Sequence, residues 1–391
     1  MAATETGVWE LQEVRDKQLA SEWSYDANDP HKLFSWGRGN YGTLGLNSQA
    51  SRSSPTQVGT NSNWLSISDG KESLHTIGSK TDGTLWSWGY GNQGELGDNK
   101  TYDQISSPVQ IPGTTWSSNI STGENFCMAT KTDGTLWGWG KNPDGAVGAN
   151  TPPSTKYSSP IQVGTGTDWK YVACGNKSTL AVKTDGTLWS WGDGGSGQGG
   201  RNDTGGFSSP KQVGADTTWS AVIGSWNSSM GVKTDGTLWI WGANDYAQLG
   251  LSNGTGYSSP MQLPGTYSTK GTGYTASGGR QHNATLNTAG ELFTFGGNEW
   301  GHLGHNNLTN YSSPKQIPGS WKYVMTSQSA TAGIKSDGTM WAWGYNEYGS
   351  VGNNTSGDNN NGISSPTQVG NLDGWEAMGS AQHNLFGLKQ P

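Results

Sequence analysis

The sequence holds only two cysteines, Cys127 and Cys174, far apart and without Cys-x-x-Cys spacing. Neither a disulfide framework nor a zinc site is implied, and both are expected as buried free thiols. Charge is also scarce, at 14% of residues, with 23 Lys plus Arg against 30 Asp plus Glu and a net charge of -7. A nucleic-acid-binding surface leaves a basic footprint that this balance lacks. No apolar run is long enough to span a membrane, and no charged start leads into an apolar stretch with a small-residue cleavage site, so neither a membrane span nor a classical signal peptide is expected. What is abundant is Gly, 62 residues, and Trp, 21 against 6 Phe. Chains this aromatic bury surface and fold, and a Gly share about twice the usual ~7% points to a short unit copied many times.

The copies are legible. Lys-Thr-Asp-Gly-Thr-Leu-Trp recurs unchanged at Lys80 to Trp86, Lys131 to Trp137, Lys183 to Trp189 and Lys233 to Trp239, with looser versions at Lys335 to Trp341 and Leu286 to Phe293. Each leads into an aromatic-x-aromatic-Gly element ending at Gly37, Gly89, Gly140, Gly192, Gly242, Gly296 or Gly344, spaced by 48 to 54 residues. Ser-Ser-Pro is a second ruler, with prolines at Pro55, Pro108, Pro160, Pro210, Pro260, Pro314 and Pro366. Both rulers count seven units.

Within a unit, Leu-Trp-x-Trp alternates with period two, which is a strand pattern that puts Trp86 and Trp88 on one sheet face. Asp-Gly marks a tight hairpin turn of the primed type. Ser-Ser-Pro is expected to open a short Gln-Val or Gln-Ile strand, where Pro costs no ladder hydrogen bond. A Trp-x-x-(Val/Ile) strand follows, carrying Trp64, Trp116, Trp169, Trp219, Trp321 or Trp375. Four strands per unit of about 50 residues, seven times over, predict an all-β seven-bladed propeller of four-stranded blades. Asp29 to Gly37 matches the second half of the hairpin and Asn384 to Lys389 the first half. The amino- and carboxy-terminal strands are therefore expected to pair in one blade and close the ring, leaving no free edges.

At Trp-x-Trp-Gly-x-x-x-x-Gly-x-Leu-Gly, as in Trp86 to Gly97, and at Lys-(Thr/Ser)-Asp-Gly, the sequence resembles the regulator of chromosome condensation family of seven-bladed propellers over roughly residues 31 to 389. The resemblance implies the fold. Its members range over nucleotide-exchange factors, a plant ultraviolet photoreceptor, a secreted bacterial inhibitor of beta-lactamases and binding modules, so function is argued from the residues. Residues 1–28 precede the propeller of residues 29–391, and Gly7 to Ala20 resembles the amino-terminal segment of virion proteins of marine tailed phages. Good helix formers there suggest a short helical or extended arm, in which Val8, Trp9, Leu11, Val14, Leu19 and Trp23 would anchor a partner or pack on the propeller.

Catalytic constellations are hard to find. Asp82, Asp133, Asp185, Asp235 and Asp337 form a ring of carboxylates that turn chemistry explains. His302 and His305 have no placed third ligand for a metal, and His75 and His282, at one repeat position, read as structural. No phosphate-binding loop or nucleophile elbow stands in a suitable context, so no cofactor is expected. Only five arginines are present, Arg15, Arg38, Arg52, Arg201 and Arg280, too few for a photoreceptor-like array of tryptophans among arginines, and an exchange factor's basic tail is missing.

The remaining surface is the stretch from each aromatic-x-aromatic-Gly to its Ser-Ser-Pro, rich in Asn, Ser, Thr and Gly. Its candidate binding residues are Tyr41, Tyr157, Phe207, Tyr246, Tyr257, Trp300, Tyr311 and Tyr348. Such loops bind protein or glycan by hydrogen bonding and stacking, or serve as inert surface. The sequence thus points to a non-enzymatic module, read first as a virion protein such as a tail fibre or capsid-decorating component. In that reading residues 1–28 hold other virion proteins and the propeller meets a host-surface protein or glycan. The alternative is a cytoplasmic regulator or inhibitor binding one protein across the ring. Neither reading involves nucleic acid or membrane insertion.

Overall fold

The computed structural model describes residues 31–70, 72–265, 267, 276–357 and 362–390. Among these, 28 strands, β1 to β28 in chain order, form seven four-stranded antiparallel sheets. Blade 1 consists of β3 (Trp64–Ile67), β4 (His75–Lys80), β5 (Leu85–Gly91) and β6 (Tyr102–Ile111), bonded in that order. Blades 2 to 6 repeat the plan from first strands Trp116–Thr122, Trp169–Cys174, Trp219–Gly224, Ala276–Gly278 and Trp321–Thr326. First strands approach their counterparts in neighbouring blades all round, so they line the axis and the fourth strands form the rim. Blade 7 joins the two chain ends: β27 (Trp375–Ala381), β28 (Asn384–Lys389), β1 (Lys32–Gly37) and β2 (Arg52–Gln57). β1 pairs with β28 from Lys32↔Lys389 to Gly37↔Asn384, which is the expected closure. Residues 1–28, expected from the sequence to form an arm, lie outside the described residues.

The hairpin turn is more elaborate than the primed turn the sequence suggested. Lys80 and Thr84 close a three-residue loop in which Gly83 alone takes a positive φ, 76°, and its N–H bonds the Lys80 carbonyl at 3.0 Å. This is a type I turn followed by a left-handed glycine, and it leaves Asp82 in an ordinary conformation that frees its carboxylate to cap. Asp82 Oδ1 accepts the Thr84 N–H at 3.0 Å and its hydroxyl at 2.6 Å, and Thr84 Oγ1 in turn accepts the Trp86 indole N–H at 2.9 Å. Lys80 Nζ sits 4.8 Å from the Trp64 ring centroid and 4.0 Å from that of Trp86, a cation shared by two indoles. Lys131, Lys183, Lys233 and Lys335 repeat that placement. The ring of aspartates is therefore turn chemistry, as expected.

The Ser-Ser-Pro motif does not open a strand but lies inside the rim strand. In blade 7 the ladder steps from Ser35↔Thr56 to Gly37↔Arg52, so Ser53, Ser54 and Pro55 bulge out of register. Pro is tolerated because a bulge on an edge strand has no N–H to supply. The bulge serves the neighbouring blade: Ser53 O accepts the Asn354 N–H at 2.7 Å, and a Cβ on Gly349, whose φ is +79°, would stand 2.4 Å from Ser53 Cα. The same joint binds Asn47 to Ser106, Asn99 to Ser158, Asn150 to Ser208, Asn202 to Ser258, Ser252 to Ser312 and Asn306 to Ser364.

The core is a series of layers between adjacent blades. Trp36, Trp88, Trp139, Trp191, Trp241 and Trp343 are buried there, and each indole N–H donates at 2.8–3.0 Å to a carbonyl of the preceding blade. In the remaining layer Phe295 replaces Trp, and the Gln248 carbonyl is met instead by Asn283 Nδ2 at 2.6 Å. Cys127 and Cys174 are buried free thiols in this core, and burial raises both above the usual thiol range.

One buried loop carboxylate yields a prediction. Glu95 is fully buried, its Oε2 accepts the Gln93 N–H at 2.8 Å, and Oε1 has no hydrogen-bond partner. Burial pushes its carboxyl up to about 7, against the lowering effect of its hydrogen bonds. Gln198 and Gln248 hold the same repeat position and accept the Ser196 and Tyr246 N–H groups in the same way. With the folded value above the unfolded one, the contribution of Glu95 to stability is whole below about pH 4.5 and is lost as pH rises through about 7. Glu95→Gln is expected to match the natural chain at pH 4 and to be more stable at pH 8, by roughly 3 kcal/mol. Urea unfolding midpoints at the two pH values check this. An equal shift at both would show that the carboxylate is not the cause.

Candidate functional site

Gly89, which closes the aromatic run of β5, pairs with His75 at the start of β4. The long loops after the third strands and the short loops before the second strands therefore emerge at one end of each blade, here called the loop face. The Asp-Gly hairpins lie at the other end. Around the axis on the loop face, the short loops are tied blade to blade. Glu124 N–H bonds Asn176 O at 3.0 Å, Asn176 N–H bonds Trp226 O at 3.2 Å, Gln328 N–H bonds Gln382 O at 3.2 Å, and Gln382 N–H bonds Ser73 O at 3.2 Å.

Charged groups gather at this mouth. Arg280 Nε lies 3.9 Å from Glu72 Oε1, its guanidinium stacks 4.2 Å from the Trp226 ring centroid, and Gln328 Nε2 donates to Glu72 Oε2 at 3.3 Å. Burial raises the Glu72 carboxyl to about 7, although Arg280 pulls it down. Below the mouth, the first strands enclose a cavity of about 110 Å³ with Ser66, Asp69, Asn119, Tyr171 and Met325 in its wall.

The long loops ring this mouth. Tyr41, Gln93, Asp144, Ser196, Tyr246, Trp300 and Tyr348 hold one repeat position, the fourth residue after the glycine that ends each aromatic-x-aromatic-Gly element. Tyr41 and Tyr246 are exposed and Trp300 and Tyr348 half-buried. Each reaches toward the next blade. Tyr246 Cβ would be 3.5 Å from a Cβ on Gly297, Trp300 packs edge-on to Tyr345 with centroids 5.0 Å apart, and Tyr41 packs edge-on to Tyr90 at 5.3 Å. Tyr348 lies 5.6 Å from His383 and 5.1 Å from the Arg38 guanidinium. Burial first, then the charges of Arg38 and Arg280, lower His383 to about 4, so its ring is neutral at physiological pH.

Of the eight surface residues expected from sequence, the structure places Tyr41, Tyr246, Trp300 and Tyr348 in these loops. Tyr157, Phe207, Tyr257 and Tyr311 instead head the rim strands, paired with Gly140, Gly192, Gly242 and Gly296. Some of those rings are already engaged: Arg201 stacks on Phe207 at 4.3 Å and Lys315 on Tyr311 at 4.1 Å. Val8, Trp9, Leu11, Val14, Leu19 and Trp23 lie outside the described residues. Sequence reasoning missed Tyr345, Arg38, Glu72, Trp226 and Arg280. Counting back seven residues from the hairpin Lys or its Asn287 counterpart finds Trp226 and Arg280, but Glu72 sits in a longer loop that breaks this count.

The histidines serve the fold. His302 and His282 stack at 4.2 Å, and His282 Nε2 meets Thr331 Oγ1 at 2.9 Å. His305 Nε2 bonds Thr294 Oγ1 at 3.1 Å. Burial lowers His75, His302 and His305 to about 4. Among the described residues no group of three His, Cys, Asp or Glu could hold a metal, and no helix is long and apolar enough to cross a membrane.

The RCC1-like domain matches residues 32–386. Among curated proteins, the ultraviolet-B receptor UVR8 of Arabidopsis thaliana is 29% identical over 331 residues, covering 81% of this chain and 62% of that one. The E3 ubiquitin-protein ligase HERC2 of Homo sapiens is 29% identical over 165 residues, 41% of this chain and 3% of its own. The chain thus spans less than two thirds of the length of these relatives. Among solved structures, Prp20p of Saccharomyces cerevisiae, described together with its binding to Gsp1p and histones, superposes with a TM-score of 0.80 at 20% identity over 92% of each chain. Human WBSCR16 does so with a TM-score of 0.80 at 21% identity, over 92% of this chain and 99% of that one. At these identities the two structures show the fold alone.

Proposed function

The chain belongs to the RCC1-like domain family, and from that premise we propose that it is a regulator module that acts by binding one protein partner across its loop face, without chemistry of its own. The observation that carries this reading is the concentration on one face of a charged mouth, Glu72 with Arg280, and an arc of partly exposed aromatics beside it. Aromatic anchors beside charged groups supply area and orientation to protein interfaces. The opposite face offers self-satisfied turns, in which each Asp is capped by its own Thr. The candidate catalytic groups support binding over catalysis: the aspartates cap turns and His75 and His302 are buried within the blades. UVR8 and Prp20p come from cellular organisms, which favours a cellular regulator. The virion reading rests on residues 1–28, outside the described residues, and is not carried further.

A photo-crosslinking residue placed at Gln93 or Tyr246 on the loop face, and at Thr81 or Thr234 on the turn face, tests the reading in extract of the source cells. One common protein adduct from the loop-face positions and none from the turn-face positions is expected. Adducts from the turn face only, or from neither, would reject it.

A further inference from the structure

We propose that the arc of long loops in blades 4 to 7 docks an extended, basic segment of the protein partner, holding its Arg and Lys side chains between aromatic faces and carboxylates. The inference rests on the protein-binding reading above and specifies the chemistry of the partner.

The loop face has two unlike halves. At the shared repeat position, blades 4, 5, 6 and 7 carry Tyr246, Trp300, Tyr348 and Tyr41 in unbroken succession, whereas blades 1, 2 and 3 carry Gln93, Asp144 and Ser196. Trp300, Tyr345, Tyr348 and His383 follow one another ring to ring, with centroids 5.0, 6.2 and 5.6 Å apart, and Tyr246, beside Gly297, and Tyr41, on Tyr90, flank them, so the aromatics form an arc about half-way round the mouth. Three of the four follow an exposed acid: Asp245 before Tyr246, Glu299 before Trp300 and Glu347 before Tyr348. The described parts of the loops that bear them, residues 243–256, 297–310 and 345–357, contain no Lys or Arg. In the other half, by contrast, Lys141 and Lys177 line a groove with Glu124 and Asp144.

Aromatic faces beside uncompensated carboxylates attract guanidinium and ammonium groups through the ring quadrupole and through charge together. The molecule already uses the arrangement at the end of the arc, where Arg38 lies 5.1 Å from the Tyr348 ring centroid. His383 beside it adds no positive charge at physiological pH, since burial and the two arginines lower it to about 4. The chain's own leading segment does not suit the track, because residues 1–28 hold six acidic against two basic residues and would be repelled. The spacing of one aromatic per blade suits an extended chain that presents cations at intervals along its length.

The test measures fluorescence anisotropy of labelled octa-arginine, with octa-glutamate and a neutral malto-oligosaccharide as controls, on the full chain at low and physiological salt. Octa-arginine is expected to bind and the controls are not. Tyr246→Ala and Trp300→Ala should each weaken binding about 2- to 30-fold. The double variant Glu299→Gln/Glu347→Gln should weaken it and flatten its salt dependence. Thr81→Ala and Thr234→Ala, on the turn face, should leave it unchanged. Tyr246 is exposed, so its variant keeps the native melting temperature and the test does not depend on Trp300 alone.

No binding of octa-arginine would overturn the proposal. So would binding that falls with the carboxylates but ignores both aromatic substitutions, since a net charge of -7 would then suffice. Oligosaccharide binding lost in Trp300→Ala would replace it with a glycan site. If any of these occurs while loop-face crosslinks still return one protein, the basic-segment proposal falls alone. If the crosslinks fail as well, the protein-binding reading falls with it.

Discussion

A chain ending at His383 loses its cooperative unfolding transition and self-associates. Removing β28 takes away the one strand that holds β27 to β1, and with it the buried Leu385, Phe386 and Leu388. Burial of three such side chains is worth about 5–9 kcal/mol, comparable with the whole stability of an ordinary domain. The loss also opens two unpaired edges next to the axis, which are templates for pairing with other chains. A circular permutant tests whether closure or mere chain length is at stake. Here residue 389 is joined to residue 33 through the Thr-Asp-Gly-Thr turn of the other blades, whose last Thr takes the place of Lys32, with new ends opened between Asp235 and Gly236. That permutant is expected to unfold cooperatively near the native melting temperature, because the covalent link only moves from one blade to another. Circular dichroism melts with light scattering read both outcomes. A truncated chain that melts as sharply as the natural one would show that the ring does not depend on its closing blade.

The second large effect is expected at a single indole. Trp241 is fully buried, packs edge-on against Trp219 with centroids 6.0 Å apart, and donates its N–H to Gln198 O at 2.9 Å. Trp241→Ala deletes the ring between two rigid sheets that cannot collapse onto the gap, and about 3–5 kcal/mol of stability should go with it. Trp241→Phe keeps most of the volume and should cost only about 1–2 kcal/mol, chiefly the lost hydrogen bond. Phe295 already fills the equivalent place in blade 5, with Asn283 as donor to the Gln248 carbonyl, so the layer accepts a phenyl ring. Urea midpoints of the two variants decide it. Equal costs for Ala and Phe would mean that hydrogen bonding, and not filling, holds the blades together.

Much of this architecture is legible in the sequence for a specific reason. A unit repeated seven times states each local rule seven times, so Leu-Trp-x-Trp alternation and the split hairpin at Asp29 and Lys389 need no tertiary information to be recognised. Three features are not legible. Ser-Ser-Pro looks like a strand opening because Pro lacks an N–H, yet the rim strand runs through it. The reason is a joint to the blade before it, Asn354 to Ser53, which is a contact between units. The repeated Lys looks like turn punctuation, whereas Lys80 is shared by Trp64 and Trp86, partners twenty-two residues apart in sequence on different strands. The aromatics of the long loops look like one set of eight. Only the register with Gly140, Gly192, Gly242 and Gly296 separates the rim residues from the four that face the mouth.

The sequence by itself determined the number of blades, the strands within them, the turn residues and the way the ring shuts. These follow from local periodicity and from backbone preferences of Gly, Asp and Pro that act within a few residues. The tertiary structure alone decided that blades are joined through serine carbonyls and indole N–H groups, that Glu72 of blade 1 meets Arg280 of blade 5, and that Trp300 of blade 5 packs on Tyr345 and Tyr345 on Tyr348 of blade 6. Those features depend on which units become neighbours, or face one another across the axis, once the ring closes, and that is set by packing between repeats that are nearly alike in sequence.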